Sequence, residues 1–105
     1  MKLTVLERII VQSLIPKEGN FLNLKLIRKA KESLSFTEEE NKVLNFRVVG
    51  EGDARQTVWD NADIEVDIDL GETVSGMVVK ELKRLDEAGK LTSDQITVFE
   101  KFVEK

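Results

Sequence analysis

Cysteine, histidine and tyrosine are all missing from these 105 residues, and proline and tryptophan occur once each. Without thiols there is no disulfide and no thiolate–zinc site, which fits a reducing compartment. Without imidazole a serine nucleophile has no histidine base, and a cysteine nucleophile does not exist. Lysine and carboxylate bases remain, so catalysis is not forbidden. The expectation is nevertheless a protein that is not an enzyme, with no catalytic residues, no metal and no cofactor.

Long apolar runs are missing too. The opening "MKLTVLERIIVQSLIPKEG" starts like a signal peptide, but Glu7 and Arg8 interrupt it before it reaches the necessary length. No stretch approaches the ~20 apolar residues of a membrane span. The reading is an amphipathic first helix and a cytoplasmic protein without a membrane partner. Hydrophobic residues make up 41% and charged residues 34%, as in ordinary globular chains. The length suits one compact domain over residues 1–105.

The net charge of −4 is unevenly spread. Residues 1–52 carry nine Lys/Arg and seven Asp/Glu, whereas residues 53–105 carry seven and thirteen. Acid concentrated in one half argues against general nucleic-acid binding, which needs a basic face.

Hydrophobic spacing then gives the order of elements. Leu3, Leu6, Ile10 and Leu14 predict a helix over 3–14, stopped by Pro16. Asn20 can cap a helix over 21–33 with Phe21, Leu24, Ile27 and Leu34 roughly in phase, although "FLNLKLI" also alternates like a strand. Thr37 and Glu40 form a capping box before a short helix over 38–44. The period then becomes two: "LNFRVV", "RQTVW" and "DIEVDIDL" read as three antiparallel strands joined by "GEGDA" and "DNA". From Glu72 to Ala88 the stripe Val74, Met77, Val78, Leu82 and Leu85 predicts a helix ended by Gly89. A last helix starts at the Thr92–Gln95 capping box, with Leu91 and Ile96 as a hydrophobic staple and Phe99, Phe102 and Val103 on its buried face. The expected fold is α+β: N-terminal helices, a small three-stranded antiparallel sheet and a C-terminal helical hairpin, an order compatible with a winged-helix-like arrangement.

Known chemical motifs mostly fail. "GEGDAR" lacks the Gly-Lys-Ser/Thr of a P-loop and the third glycine of a dinucleotide fingerprint, and reads as a hairpin turn. "DIDLGETVSGMV" begins like a calcium loop, then places Gly71, Glu72 and Val78 where an oxygen ligand, a glycine and a bidentate glutamate belong. A winged helix would read DNA with the helix after Thr37, but Glu38, Glu39 and Glu40 open it with the wrong sign for phosphate.

Three surface features remain. Asp63, Glu65, Asp67 and Asp69 form an alternating acidic row opposite the aliphatic Ile64, Val66, Ile68 and Leu70. Some of those acids are expected to pair with Arg47 or Arg55 on the preceding strands. As a DNA mimic the row is too sparse. A strand offers one side chain per face every ~6.7 Å, against one duplex charge per roughly 1.7 Å. Trp59 is either a core residue or an interface anchor. Lys25, Arg28, Lys29 and Lys31 form the one basic cluster, a candidate nucleic-acid contact whose plainer reading is a solvated helix face.

Together, "MKLTVLER", "LIPKEGNF", "LSFTEEE", the lone "WD" and "LDEAGKLTSDQITVFEKFVEK" resemble a group of small proteins encoded by tailed bacteriophages. The resemblance implies a phage gene product acting in the bacterial cytoplasm or built into a virion. It implies no mechanism and transfers no functional residue. The expected function is protein–protein binding, for example to a host factor, through Asp63, Glu65, Asp67, Asp69 and Trp59. The alternatives are a virion or assembly component, and a nucleic-acid-binding regulator using the basic helix.

Overall fold

The computed structural model describes residues 1–61 and 64–104, in which five helices accompany two small antiparallel sheets. The α+β class is as expected; the sheet is not.

The chain opens with a strand rather than with helix. Strand β1, Lys2–Thr4, precedes helix α1, Val5–Leu14. Thr4 fixes the boundary: its Oγ1 accepts from the Glu7 amide at 3.2 Å, and Glu7 Oε1 accepts from the Thr4 amide at 2.9 Å. That capping box keeps Leu3 out of the helix. Leu3 is buried in the strand, and Leu6 stays exposed while Ile10, Val11 and Leu14 face the core. Ile15 is extended, as a residue before proline should be.

Helix α2, Phe21–Leu34, is capped by Asn20, which settles the strand alternative in favour of helix. Its buried face is Ile27, Ala30 and Leu34. Phe21 was expected on that face and is instead 76% exposed. Six steps of 100° put it some 120° from Ile27, off the inward stripe. Helix α3, Glu38–Leu44, carries the expected Thr37–Glu40 box and ends at Asn45, whose φ is 48°.

Strands β2, Arg47–Val49, and β3, Gln56–Val58, pair as a hairpin. Its turn needs glycine at Gly50, where φ is +88° and a Cβ would lie 2.4 Å from the Ala54 carbonyl oxygen. Strand β4, Glu65–Asp67, does not join them. It pairs with β1, with Lys2 opposite Asp67, Leu3 opposite Val66 and Thr4 opposite Glu65. The three-stranded meander is therefore corrected to two separate two-stranded sheets. The reason is burial. Leu3 and Ile68 are core residues and Val66 packs against them, whereas β2 is exposed on both faces. The aliphatic face of β4 goes where a buried edge awaits it.

Helix α4, Glu72–Glu87, buries Val74, Val78 and Leu82. Gly89, with φ +66°, ends it, and the Lys90 amide donates back to the Leu85 carbonyl at 2.8 Å. A 3-10 turn at Ser93–Gln95 leads into α5, Ile96–Phe102. Val98 and Phe102 are the buried pair, with Phe99 and Val103 only partly covered. Ile96 is 55% exposed, so the expected staple with Leu91 does not bury it.

One apolar cluster joins α1, α2, α4 and α5 with Leu3 and Ile68, and its buried members include no residue between Ser35 and Asn61. That stretch, α3 with the hairpin, forms an arm. It is attached through Arg8, which reaches Glu40 and the Phe36 ring, and is tied within itself by an aromatic chain. In that chain Phe36 meets Phe46 edge-on at 5.0 Å, and Phe46 meets Trp59 at 5.7 Å.

Candidate functional site

Two acids of the row, Asp67 and Asp69, are occupied by the fold. Asp67 accepts from the Met1 ammonium at 2.7 Å and faces Lys2 across the β1–β4 ladder. The hydrogen bond and the charge of that ammonium hold its carboxyl below the usual range, with a smaller effect of Lys2. Asp69 accepts from the Gly71 amide at 2.9 Å, a turn that leads into α4. Glu65 is exposed opposite Thr4. Asp63 lies outside the described residues. Among the described residues none of these acids pairs with Arg47 or Arg55, because β4 lies against β1. Arg47 instead reaches Asp60 at 3.2 Å and the Asn45 carbonyl at 3.0 Å.

Two buried ions carry structural roles. Arg8 is 2% exposed. It donates to the Leu34 carbonyl at 3.2 Å, the Ser35 carbonyl at 2.6 Å and Glu40 Oε2 at 2.6 Å, and its guanidinium sits 4.1 Å from the Phe36 ring centre. This contact to Arg8, ahead of the opposing effect of burial, holds Glu40 below the usual glutamate range. Glu7 is 3% exposed. Burial pushes its carboxyl up. Hydrogen bonds from Lys101, the Thr4 amide and Thr97, with the charge of Lys101, outweigh this and leave it lowered. Lys101 Nζ also donates to the Lys2 carbonyl at 2.8 Å. Each of these polar groups has its partners, so both ion pairs hold elements together.

Trp59 belongs to neither of its two expected settings alone. It is half-buried against Phe46, and its Nε1–H is shielded from solvent with no hydrogen-bond partner among the described residues. A buried donor without an acceptor costs about 1–3 kcal/mol. The next residues are pinned to α3: the Asp60 amide donates to the Leu44 carbonyl at 2.7 Å, and Asn61 Nδ2 to the Val43 carbonyl at 3.1 Å.

This pinning helps form a groove that sequence reasoning missed. It is lined by Glu39, Glu40, Val43, Leu44 and Ile64 and holds about 240 Å³. That is less than the ~300–1,000 Å³ of small-molecule pockets, and it suits one or two apolar side chains. Three of its lining residues are aliphatic and two carry carboxylates, and Val43 is 51% exposed. A signal was present: in "EEENKVL" the only apolar residues are adjacent, so burying Leu44 turns Val43 outward.

The basic cluster is on α2 as expected. Lys25, Arg28 and Lys29 are exposed and Lys31 is half-buried, and among the described residues none pairs with a carboxylate. Lys25 Nζ lies 5.3 Å from the ring centre of Phe21. Leu22, 67% exposed, adjoins them.

Among the described residues, no group of three or more acidic side chains is placed to hold a metal ion, and no helix is long and apolar enough to cross a membrane. No protein-family model, curated protein or solved structure matches the chain.

Proposed function

We propose that this chain is a non-catalytic binding protein whose partner is another protein. The partner docks at the α3 groove, and the Trp59 indole is a second anchor in the adjoining segment. The observation that carries this reading is the groove itself, lined by aliphatic Val43, Leu44 and Ile64 together with Glu39 and Glu40. It suits an apolar side chain flanked by lysine or arginine. Trp59 lies half-buried in the segment that adjoins the groove, and tryptophan is enriched at binding hot spots. The acidic row contributes less than its sequence suggests, since Asp67 and Asp69 already have partners within the chain. The phage resemblance directs the search for partners to bacterial and virion proteins.

A photo-crosslinking residue at Val43, in otherwise intact protein, tests the reading. A specific adduct with a protein, suppressed by Glu39→Lys, is expected. No adduct, or one indifferent to Glu39→Lys, overturns it.

A second reading, nucleic-acid binding through Lys25, Arg28, Lys29 and Lys31, is favoured by the absence of carboxylate partners for these four among the described residues. It requires a salt-sensitive gel shift, and no shift at low salt retires it.

A further inference from the structure

We infer that the occupant of the α3 groove is a second copy of this chain, seated by the first turn of its α2. The inference rests on reading that groove as a protein-docking site, and it names the partner.

Phe21 and Leu22, at 76% and 67%, are the most exposed large apolar side chains among the described residues. They sit side by side at the start of α2, immediately after its Asn20 cap. Successive 100° rotations bring Lys25, Arg28 and Lys29 onto the same outward face, opposite the buried Ile27, Ala30 and Leu34. The helix therefore presents two apolar knobs backed by three cations that lack carboxylate partners among the described residues. The groove presents the converse: aliphatic Val43, Leu44 and Ile64 lining it beside Glu39 and Glu40, with Glu38 next in the chain. Glu40 is held by Arg8, which leaves Glu38 and Glu39 to meet incoming cations. Apolar surface meets apolar surface, and opposite charges meet around it.

The two surfaces do not satisfy each other within one molecule. Phe21 and Leu22 are the most exposed large apolar side chains among the described residues and Val43 is 51% exposed, so within one molecule neither surface covers the other. Contact between the knob and the groove must join different molecules, either reciprocally in a two-fold dimer or head-to-tail in a chain.

Sedimentation velocity of the full chain tests this over a roughly hundredfold concentration range. The weight-average mass should rise with concentration in low salt and fall back in high salt, as screening of exposed charges requires. The Lys25→Glu/Arg28→Glu and Glu38→Lys/Glu39→Lys variants should each weaken association at least ~10-fold, the equivalent of two modest charge contacts. An equimolar mixture of the two should again give dimers, since each supplies the surface the other lacks. That rescue separates a charge-specific contact from misfolding. A wild-type chain that stays monomeric, variants that associate like wild type, or a mixture that stays monomeric overturns the inference.

The Val43 crosslink separates this failure from that of the broader reading. A chain-to-chain adduct supports both. An adduct with a different protein overturns the second copy but leaves the groove a docking site. No adduct overturns both. A low-salt oligonucleotide shift lost in Lys25→Glu/Arg28→Glu, without self-association, assigns α2 to nucleic acid and overturns the inference.

Discussion

Arg8 and Glu40 meet at 2.6 Å, and through them α1 holds the start of α3. The same guanidinium also closes the end of α2 by taking the carbonyls of Leu34 and Ser35. Replacing Arg8 by alanine leaves those oxygens and the Glu40 carboxylate without their donor. The expected cost is about 3–5 kcal/mol, the range for breaking a buried pair from one side. Urea denaturation measures it. A loss below ~1 kcal/mol would show that contacts other than Arg8 hold the arm.

Glu7 and Glu40 set the acid limit of the fold. Both have folded-state values below the ordinary 4.5, Glu40 through Arg8, and Glu7 because its hydrogen bonds to Lys101, Thr4 and Thr97 outweigh burial. The unfolded chain therefore binds these protons first as pH falls. Their stabilisation is complete above the ordinary value and is lost as pH drops through the lowered ones. Stability should be flat near neutrality and fall steeply below about pH 4.5. Glu40→Gln should flatten the acid limb while lowering the neutral plateau. An unchanged limb contradicts the assignment.

Trp59→Phe separates binding from folding. Phenylalanine retains an aromatic face against Phe46 and removes the indole N–H, which has no partner among the described residues. The lost ring area and the removed donor oppose each other, so stability should stay within ~1 kcal/mol of wild type. Partner capture should weaken. If stability falls by several kcal/mol instead, the indole is a core group.

Two glycines should respond in opposite directions. Gly50→Ala meets both a positive φ and the Ala54 carbonyl oxygen, and should cost about 1–3 kcal/mol, expressed as faster hydrogen exchange in β2 and β3. Gly76 lies within α4 with nothing within 4 Å of its missing Cβ. Gly76→Ala should raise stability by roughly 0.5–1 kcal/mol. A thermal melt of each decides.

The difference between what sequence could and could not tell follows the range of each interaction. Helix α3 has its predicted bounds because Thr37 and Glu40 are three residues apart and write their own start signal. The GEGDA turn was legible for the same reason, as Gly50 answers to Ala54. Strand β1 was misread because Leu3 fits the step to Leu6 as well as it fits a strand. The Thr4–Glu7 box, which marks where the helix begins, went unused. The partner of β4 was not legible at all. Alternation shows that Ile64, Val66 and Ile68 want a covered face, but it does not say whether β3 or β1 supplies the edge. The partner of Asp67 was out of reach in the same way, because its charge is answered by Met1 and Lys2, more than sixty residues earlier.

The contact of Lys101 with Glu7 and the Lys2 carbonyl closes the chain into a loop, its last helix locked on its first turn. A nascent chain has no such lock. Until α5 emerges, Glu7 has no cation to answer its burial, and until β4 emerges, β1 has no strand to pair with. The β1–β4 pair and the α5 contact should therefore form late, since short loops close sooner than long ones. Pulsed hydrogen exchange should find α2 and α4 protected before β1, and the reverse order would show that the distant segments meet first.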